Sequence, residues 1–398
     1  MIVWDLRSVV LLVAALQAVF ISTLLFIRNY KTARLSDRLL AFFLLAISAT
    51  MSEHIAGWLG LYQNQWLTFF PFGETFLFAP LAYLYVKSVT NASFTWHKKQ
   101  WLLFVPAAVY FAVHLFVWAY PVHQKLAIIE KLGRYYWYII EGYANAIFFS
   151  VFLYKIIRHY RLYLSWLPGQ YSNADKLKLH WVRIFIVLLS IYFLVFIGFG
   201  IFSIVKWYSY NIGFWQFFVL AVIIYYTSVA GYVFVQKQNI YFDLHAENEQ
   251  KEIAWQKRET GVPAVELLPT ATAEAEAPAI ENMDNAKELL LKEQLLNHLR
   301  QNKPYLDADL TLTILAAQLE KPPYMITQII KATTAKNFND LINAFRIEAV
   351  IEKLKNNEYQ SKTLLGIAYE CGFNSKATFN RAFKKATNSS PKEFIEKR

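Results

Sequence analysis

Along the first 240 residues the hydrophobic positions run together instead of alternating with polar ones. Seven apolar stretches fall at 8–27, 39–58, 68–88, 101–120, 136–157, 182–205 and 213–236. Each has about the length a helix needs to cross ~30 Å of hydrocarbon. The runs VVLLVAALQAVFISTLLFI and IFIVLLSIYFLVFIGFGIFSIV within them contain no charged residue. With seven in succession and no polar globular segment between them, a buried soluble core is excluded and a transmembrane bundle is expected.

Beyond residue 285 the spacing becomes that of amphipathic helices at ordinary globular density. LLLKEQLLNHLRQNKPY predicts one helix, and DLTLTILAAQLEKPPYMITQIIKATTA predicts two short ones. Those two are broken at Glu320 to Pro323, with a cap at Thr311 or Thr313. FNDLINAFRIEAVIEKLKNN predicts a long helix. In KTLLGIAYECGFNSKATFNRAFKKAT a helix over 363–370 ends at Gly372, and Ser375 caps the next. Pro391 opens a last short helix. The expected fold is all-α: a seven-helix transmembrane bundle over 1–240, a flexible linker over 241–285 and, over 286–398, a soluble helical domain with two helix-turn-helix units.

Composition sharpens the division. The chain holds 32 Phe, 25 Tyr and 12 Trp but only 17% charged residues, and most of that excess precedes residue 242. The stretch DLHAENEQKEIAWQKRETGVPAVELLPTATAEAEAPAIENMDNA is poor in bulky apolar residues and has spaced prolines, which predicts a tether. A single cysteine, Cys371, excludes a disulfide framework and a cysteine-rich zinc site. The first apolar run is too long for a signal-peptide core and reads as a retained anchor.

The net charge is +11, and its placement predicts orientation. Arg28, Lys31, Arg34, Arg38, Lys87, Lys98, Lys99, Lys155, Arg158, Arg161, Lys176, Lys178, Arg183 and Lys237 gather on one side of a seven-span arrangement. Arg7, Lys125, Lys131, Arg134 and Lys206 fall on the other. The rule that cytoplasmic loops are rich in Lys and Arg then sets the N-terminus outside and the C-terminal domain in the cytoplasm.

Two groups of residues are candidates for chemistry. Glu53, His54, Glu74, His114 and Glu141 lie in or near apolar stretches. Charge is costly there, so they are expected to face the bundle interior, either as an intramembrane sensing pocket or as interhelical hydrogen bonds. They have neither catalytic nor metal-ligand spacing, and the sequence implies no catalytic residue, metal or cofactor.

The second group is basic. Residues 361–398 carry 8 Lys or Arg against 3 acidic residues. Leu365, Ile367, Ala368, Phe373, Phe379 and Phe383 can form a small core. That leaves Ser375, Lys376, Thr378, Asn380, Arg381, Lys384 and Lys385 toward solvent, as a major-groove reading helix requires. In the first unit Tyr324, Thr327, Gln328 and Lys331 occupy the corresponding turns. The two reading helices begin about 51 residues apart, and a rigid linking helix would let both enter one duplex.

These residues carry a resemblance to the AraC/XylS family of bacterial transcription regulators. It spans about residues 286–397 and is strongest in IAYECGFNSKATFNRAFKKATNSSPKEF. LTLTILAAQL, YMITQIIK and NFNDLINAFRIEAVIEKL support it, with Arg346 at the family's Arg position. The resemblance implies a seven-helix, double helix-turn-helix DNA binder whose recognition helices are 323–332 and 375–386. Glu320 stands where a turn glycine is common, Ala335 replaces a frequent Gly, and Asn388 replaces the usual Gly before Ser389. The first 240 residues do not resemble a soluble sugar-binding sensor, so the arrangement is similar to membrane-anchored members.

The implied function is a non-enzymatic, membrane-anchored regulator in a bacterial cytoplasmic membrane. Its expected partners are double-stranded DNA, RNA polymerase, the lipid bilayer, a second copy of the chain and an unidentified small ligand or membrane stimulus. A transporter with an appended regulatory domain and a membrane scaffold with a helical interaction module are the alternatives.

Overall fold

A computed structural model describes residues 6–61, 67, 69–72, 75–132, 134–205, 210–233, 240, 242, 285–334 and 337–396. The predicted linker falls almost wholly outside them. The chain divides into two compact units, one formed by 1–162 with 179–242 and the other by 163–178 with 243–398.

Among its described residues the regular elements of the first unit are all helices. Its elements are α1 (Leu6–Thr32), α2 (Leu35–Trp58), α3 (Thr75–Thr90), α4 (Val105–Trp118) after a 3₁₀ segment at Lys98–Phe104, and α5 (Val122–Leu132). The initial part of α6 (Arg134–Gln170), α7 (His180–Val205) and α8 (Tyr210–Val233) complete it. α1 packs on α2 and α8, and α2 also packs on α3.

α1 shows how apolarity is used on both faces. Leu11, Ala14, Ala15, Ala18, Ser22 and Leu25 are buried at helical spacing, whereas Val13, Leu16, Phe20 and Ile27 are exposed. A helix apolar on its covered and uncovered sides alike is at home in lipid. Small residues let these helices approach closely, and hydroxyls bond across them: Ser22 Oγ donates to Ala41 O at 3.1 Å and Ser48 Oγ to Ala15 O at 3.2 Å. At Gly231 a Cβ would lie 2.1 Å from Leu40 Cδ2, so a side chain there would force Leu40 to move where α8 crosses α2.

A charged clamp closes one end of this packing. Arg28 on α1 makes a two-point pair with Asp37 on α2, both bonds 2.7 Å long. It also donates to Tyr232 O at 2.6 Å and Gly231 O at 3.0 Å, at the C-terminal end of α8. Cation, carboxylate and helix-end carbonyls satisfy one another, which makes this charge tolerable among apolar helices.

The seven-span expectation is corrected. Among the described residues five helical segments are long and apolar enough to cross a membrane: Leu6–Thr32, Leu35–Trp58, Lys98–Trp118, Ala174–Phe202 and Gly213–Val233. The stretch at 68–88 yields only α3, a 16-residue helix with Pro80 inside it. At 1.5 Å per residue that is about 24 Å, short of the hydrocarbon thickness. The stretch at 136–157 belongs to the 37-residue α6, where Glu141, Asn145 and Lys155 interrupt the apolar run.

The second unit contains seven α-helices among its described residues after 284. They are α9 (Asn285–Asn302), α10 (Leu312–Gln318), α11 (Pro323–Thr334), α12 (Phe338–Lys355), α13 (Leu364–Glu370), α14 (Lys376–Thr387) and α15 (Pro391–Glu396). They enclose two cores. Leu299, Leu310, Leu315, Ile326, Ile329, Ile330, Phe338 and Ile342 belong to one, and Ile347, Val350, Ile367, Ala368, Phe373, Phe379 and Phe383 to the other. The predicted Phe core is present, but Leu364 rather than Leu365 packs against it.

α12 contributes to both cores, and its Arg346 ties them together. This side chain is 1% exposed and donates Nε to Tyr305 O and Nη2 to Asp307 O, each at 2.7 Å. Its guanidinium lies 5.8 Å from the centre of the Phe373 ring. Burial lowers its pKa to about 10, opposed by Asp307 and Asp309, so it is charged at neutral pH. An Arg held by carbonyl oxygens on one side and an aromatic face on the other fixes the spacing of the two halves.

Candidate nucleic-acid interface

Each half of the second unit is a short helix, a turn and a longer helix. Thr311 Oγ1 accepts from Ile314 N at 3.2 Å and caps α10. Ser375 Oγ accepts from Thr378 N at 3.1 Å and caps α14. Both caps stand where the polar pattern predicts them. Asn388, in the left-handed region at φ 57°, ends α14 by donating its N–H to Lys384 O at 2.9 Å.

α14 buries Phe379 and Phe383 and turns Lys376, Asn380, Arg381, Lys384 and Lys385 outward, with Ser375 partly covered at its start. Arg381 is 59% exposed. Lys385 Nζ reaches Asp340 Oδ1 at 2.8 Å. Thr378 departs from expectation. It is 4% exposed and donates through Oγ1 to Asp175 Oδ2 at 3.1 Å. The same carboxylate oxygen accepts from Arg381 Nη2, while Asp175 Oδ1 pairs with Lys178 Nζ at 2.8 Å.

In the first half, α11 buries Ile326, Ile329 and Ile330 and leaves Lys331 exposed. Tyr324, Thr327 and Gln328 are half-buried, and Thr327 Oγ1 donates to Pro323 O at 3.1 Å. Lys331 is therefore the exposed cation of this helix, against four on α14.

The segment carrying Asp175 belongs to the same unit. Tyr171 forms an antiparallel bridge with Thr311, and Ser172 N donates to Leu310 O at 3.2 Å. Ser172 is fully buried. Its carbonyl accepts from Asn339 Nδ2 at 2.7 Å, and its Oγ accepts from Arg346 Nη2 at 3.1 Å. Asn343 Nδ2 donates to Asn339 Oδ1 at 3.0 Å and so orients that amide. Sequence reasoning valued this loop only for Lys176 and Lys178, and nothing local marks Asp175 as a partner of a helix 200 residues away.

Of the membrane-region candidates, two come together: His114 Nε2 lies 3.7 Å from Glu141 Oε2. Glu53, expected to face the bundle interior, is exposed. His114 also stacks on Tyr110 with ring centres 4.1 Å apart. His54 instead stacks on Phe217 at 4.3 Å. Glu74 and Ala335 lie outside the described residues. Among those described, no group of three or more His, Cys, Asp or Glu residues is placed to hold a metal ion. Cys371 is buried in the second core, and desolvation pushes its thiol pKa up to about 11, which makes it a poor nucleophile.

Residues 315–397 match the family model described as "Helix-turn-helix domain". No curated protein and no solved structure matches the chain. The matched domain is a non-catalytic DNA-binding module. The chain thus joins a region of several long apolar helices to a helix-turn-helix domain, as a membrane-linked regulator does.

Proposed function

We propose that this protein is a membrane-anchored transcription regulator of the AraC/XylS type, which reads duplex DNA mainly through α14. The observation that carries the reading is α14 itself. It is a capped 12-residue helix with two Phe anchors in a core and an outward row of Lys376, Arg381, Lys384 and Lys385. Phosphate contacts from Arg381 and the lysines supply affinity, while Asn380 is the group suited to base edges. α11 is the second reader, through Tyr324, Thr327, Gln328 and Lys331. The seven-helix second unit, with α12 spanning both halves, supports the family assignment.

Five alternating spans leave the loop after the third and the chain after the fifth on one side of the membrane. That side receives Arg28, Lys31, Arg34, Lys125, Lys131, Arg134, Lys155, Arg158, Arg161 and Lys237, against Arg7, Lys87, Lys98, Lys99 and Lys206 on the other, which supports a cytoplasmic reading domain. In the membrane region the His114–Glu141 pair is the proposed sensing element, responding to protonation or to a bound cationic or polar ligand.

The test is DNA crosslinking and recovery from cells carrying the full-length protein in its own membrane, beside an Arg381→Ala, Lys384→Ala version. Discrete sites present in the first and lost in the second support the reading. Sites retained in the variant would move the reading surface away from α14, and their absence in both would remove the assignment.

A further inference from the structure

We propose that residues 171–175 form a built-in inhibitor of the second reading helix, with the Asp175 carboxylate standing where a DNA phosphate would sit. The inference rests on the reading of α14 as a DNA-contacting helix. Asp175 Oδ2 accepts from Thr378 Oγ1 and from Arg381 Nη2, a hydroxyl and a guanidinium on the first two turns of that helix. Ser375 Oγ donates to Thr378 Oγ1 at 2.8 Å, so the cap, the threonine and the carboxylate form one chain of hydrogen bonds. Hydroxyl and guanidinium donors near a helix start are the groups that hold phosphate oxygens. A carboxylate satisfying both leaves them unavailable to the DNA backbone.

The segment is held as an integral part of the domain. Its Tyr171 bridges to Thr311 at the cap of α10, and Ser172 is fixed by Asn339 and Arg346 of α12. Asp175 then reaches α14. One short segment therefore engages the first half, the linking helix and the second reader at once.

Its neighbours in the chain suggest the control. Residues 171–179 connect α6 to α7, so the inhibitor is covalently continuous with apolar helices at both ends. A flexible tether transmits little torque, whereas a short segment gripping the reader converts a shift of α6 against α7 into release of Asp175 from Arg381. The pair is partly exposed, with side-chain exposures of 59% for Arg381 and 19% for Asp175. Pairs of that kind contribute modestly, so the brake is weak enough to be lifted.

The test measures binding of the full-length protein in lipid nanodiscs to a labelled mixed-sequence duplex of about 40 base pairs at low salt. Asp175→Asn should tighten binding about tenfold, the effect of ~1.4 kcal/mol. Asn339→Ala, which loosens the segment with no change of charge, should tighten it in the same direction. Glu348→Gln, an exposed acid on α12, controls for the loss of one negative charge and should change affinity by less than about twofold. Adding Arg381→Ala to Asp175→Asn should abolish the gain.

If Asp175→Asn binds no more tightly than Glu348→Gln while Arg381→Ala alone weakens binding, the brake is overturned and the DNA reading stands. If no version binds duplex, both fall. Asp175→Asn is nearly the same size and decides the matter even if Asn339→Ala disturbs packing.

Discussion

The two helix-turn-helix halves share a backbone and differ in what surrounds it. Each begins with a Thr-capped helix of seven residues and continues into a helix of twelve. Each turn closes the same way: Lys321 N donates to Ala316 O at 2.9 Å, and Phe373 N to Ala368 O at 3.1 Å. These bonds are the signature of a helix ended by one left-handed residue. In the second half that residue is Gly372 at φ 88°, and in the first it is Glu320 at φ 53°. The turn dictates the dihedral; the packing outside decides whether a side chain can be borne there.

That difference predicts the largest effect. A Cβ on Gly372 would lie 2.3 Å from Tyr305 O and 2.9 Å from both Arg346 Nε and Leu306 O. Gly372→Ala must displace backbone and disturb the buried Arg346 as well as bear a left-handed dihedral, so a loss of about 3 kcal/mol is expected. Denaturation of the full-length protein in detergent, followed by amide exchange in α12 to α14, reads it. Glu320→Ala keeps a Cβ already present and should change stability by less than about 0.5 kcal/mol. Equal losses at both turns would erase the contrast.

Charge supplies the next contrast. α14 presents Arg381 at its centre and α11 presents Lys331 near its end. Arg381→Ala should cost about 1–3 kcal/mol of binding to a recovered site, against under about 1 kcal/mol for Lys331→Ala. Because Arg381 also holds Asp175, its loss is best measured in the Asp175→Asn background. A larger loss at Lys331 would make α11 the principal reader.

What was legible in the sequence follows the range of each interaction. Thr311 and Ser375 cap their helices through a backbone N–H three residues on, and such local chemistry can be read directly from spacing. The Phe379 and Phe383 anchors follow from helical periodicity. Thr378 could not be placed, because its hydrogen-bond partner Asp175 is far away in sequence. Arg346 was recognised by its position within a resemblance, but its partners Tyr305, Asp307 and Ser172 were invisible. The Arg28–Asp37 clamp was read only as loop charge. The span count went wrong for another reason. Apolar length alone does not fix helix length, and the helix at Thr75–Thr90 begins well inside the 68–88 run and is too short to span.

The Glu320 turn offers a smaller prediction of opposite sign. Glycine adopts left-handed dihedrals without the Cβ penalty, so Glu320→Gly should stabilise the first half by up to about 1 kcal/mol, with part of the gain offset by the greater freedom of the unfolded glycine. Slower amide exchange in α10 and α11, with α13 and α14 unchanged, is the expected result. Faster exchange would mean that the Glu320 side chain contributes contacts outweighing its backbone strain.

The smallest effect separates the halves by pH. The last residue of α13 is Glu370, whose carboxylate lies 2.7 Å from both Lys353 Nζ and Lys362 Nζ. The last residue of α10 is Gln318, paired with His298 Nε2 at 3.0 Å. Hydrogen bonds from the two lysines lower the Glu370 pKa from 4.5 to about 2. A carboxyl group depressed on folding contributes stability that is complete above its unfolded pKa and lost as pH falls through its folded one. The α12–α13 junction should therefore loosen progressively from about pH 4.5 to pH 2, while Gln318 gives the α10 end no carboxyl titration of its own. Both lysines sit at the surface and solvent screens them, so the change is small and salt-sensitive. Amide exchange at the α13 terminus across that range, compared with Glu370→Gln, isolates it. Identical pH profiles in the two proteins would show that the lysine pairs add nothing to holding this end of the second unit.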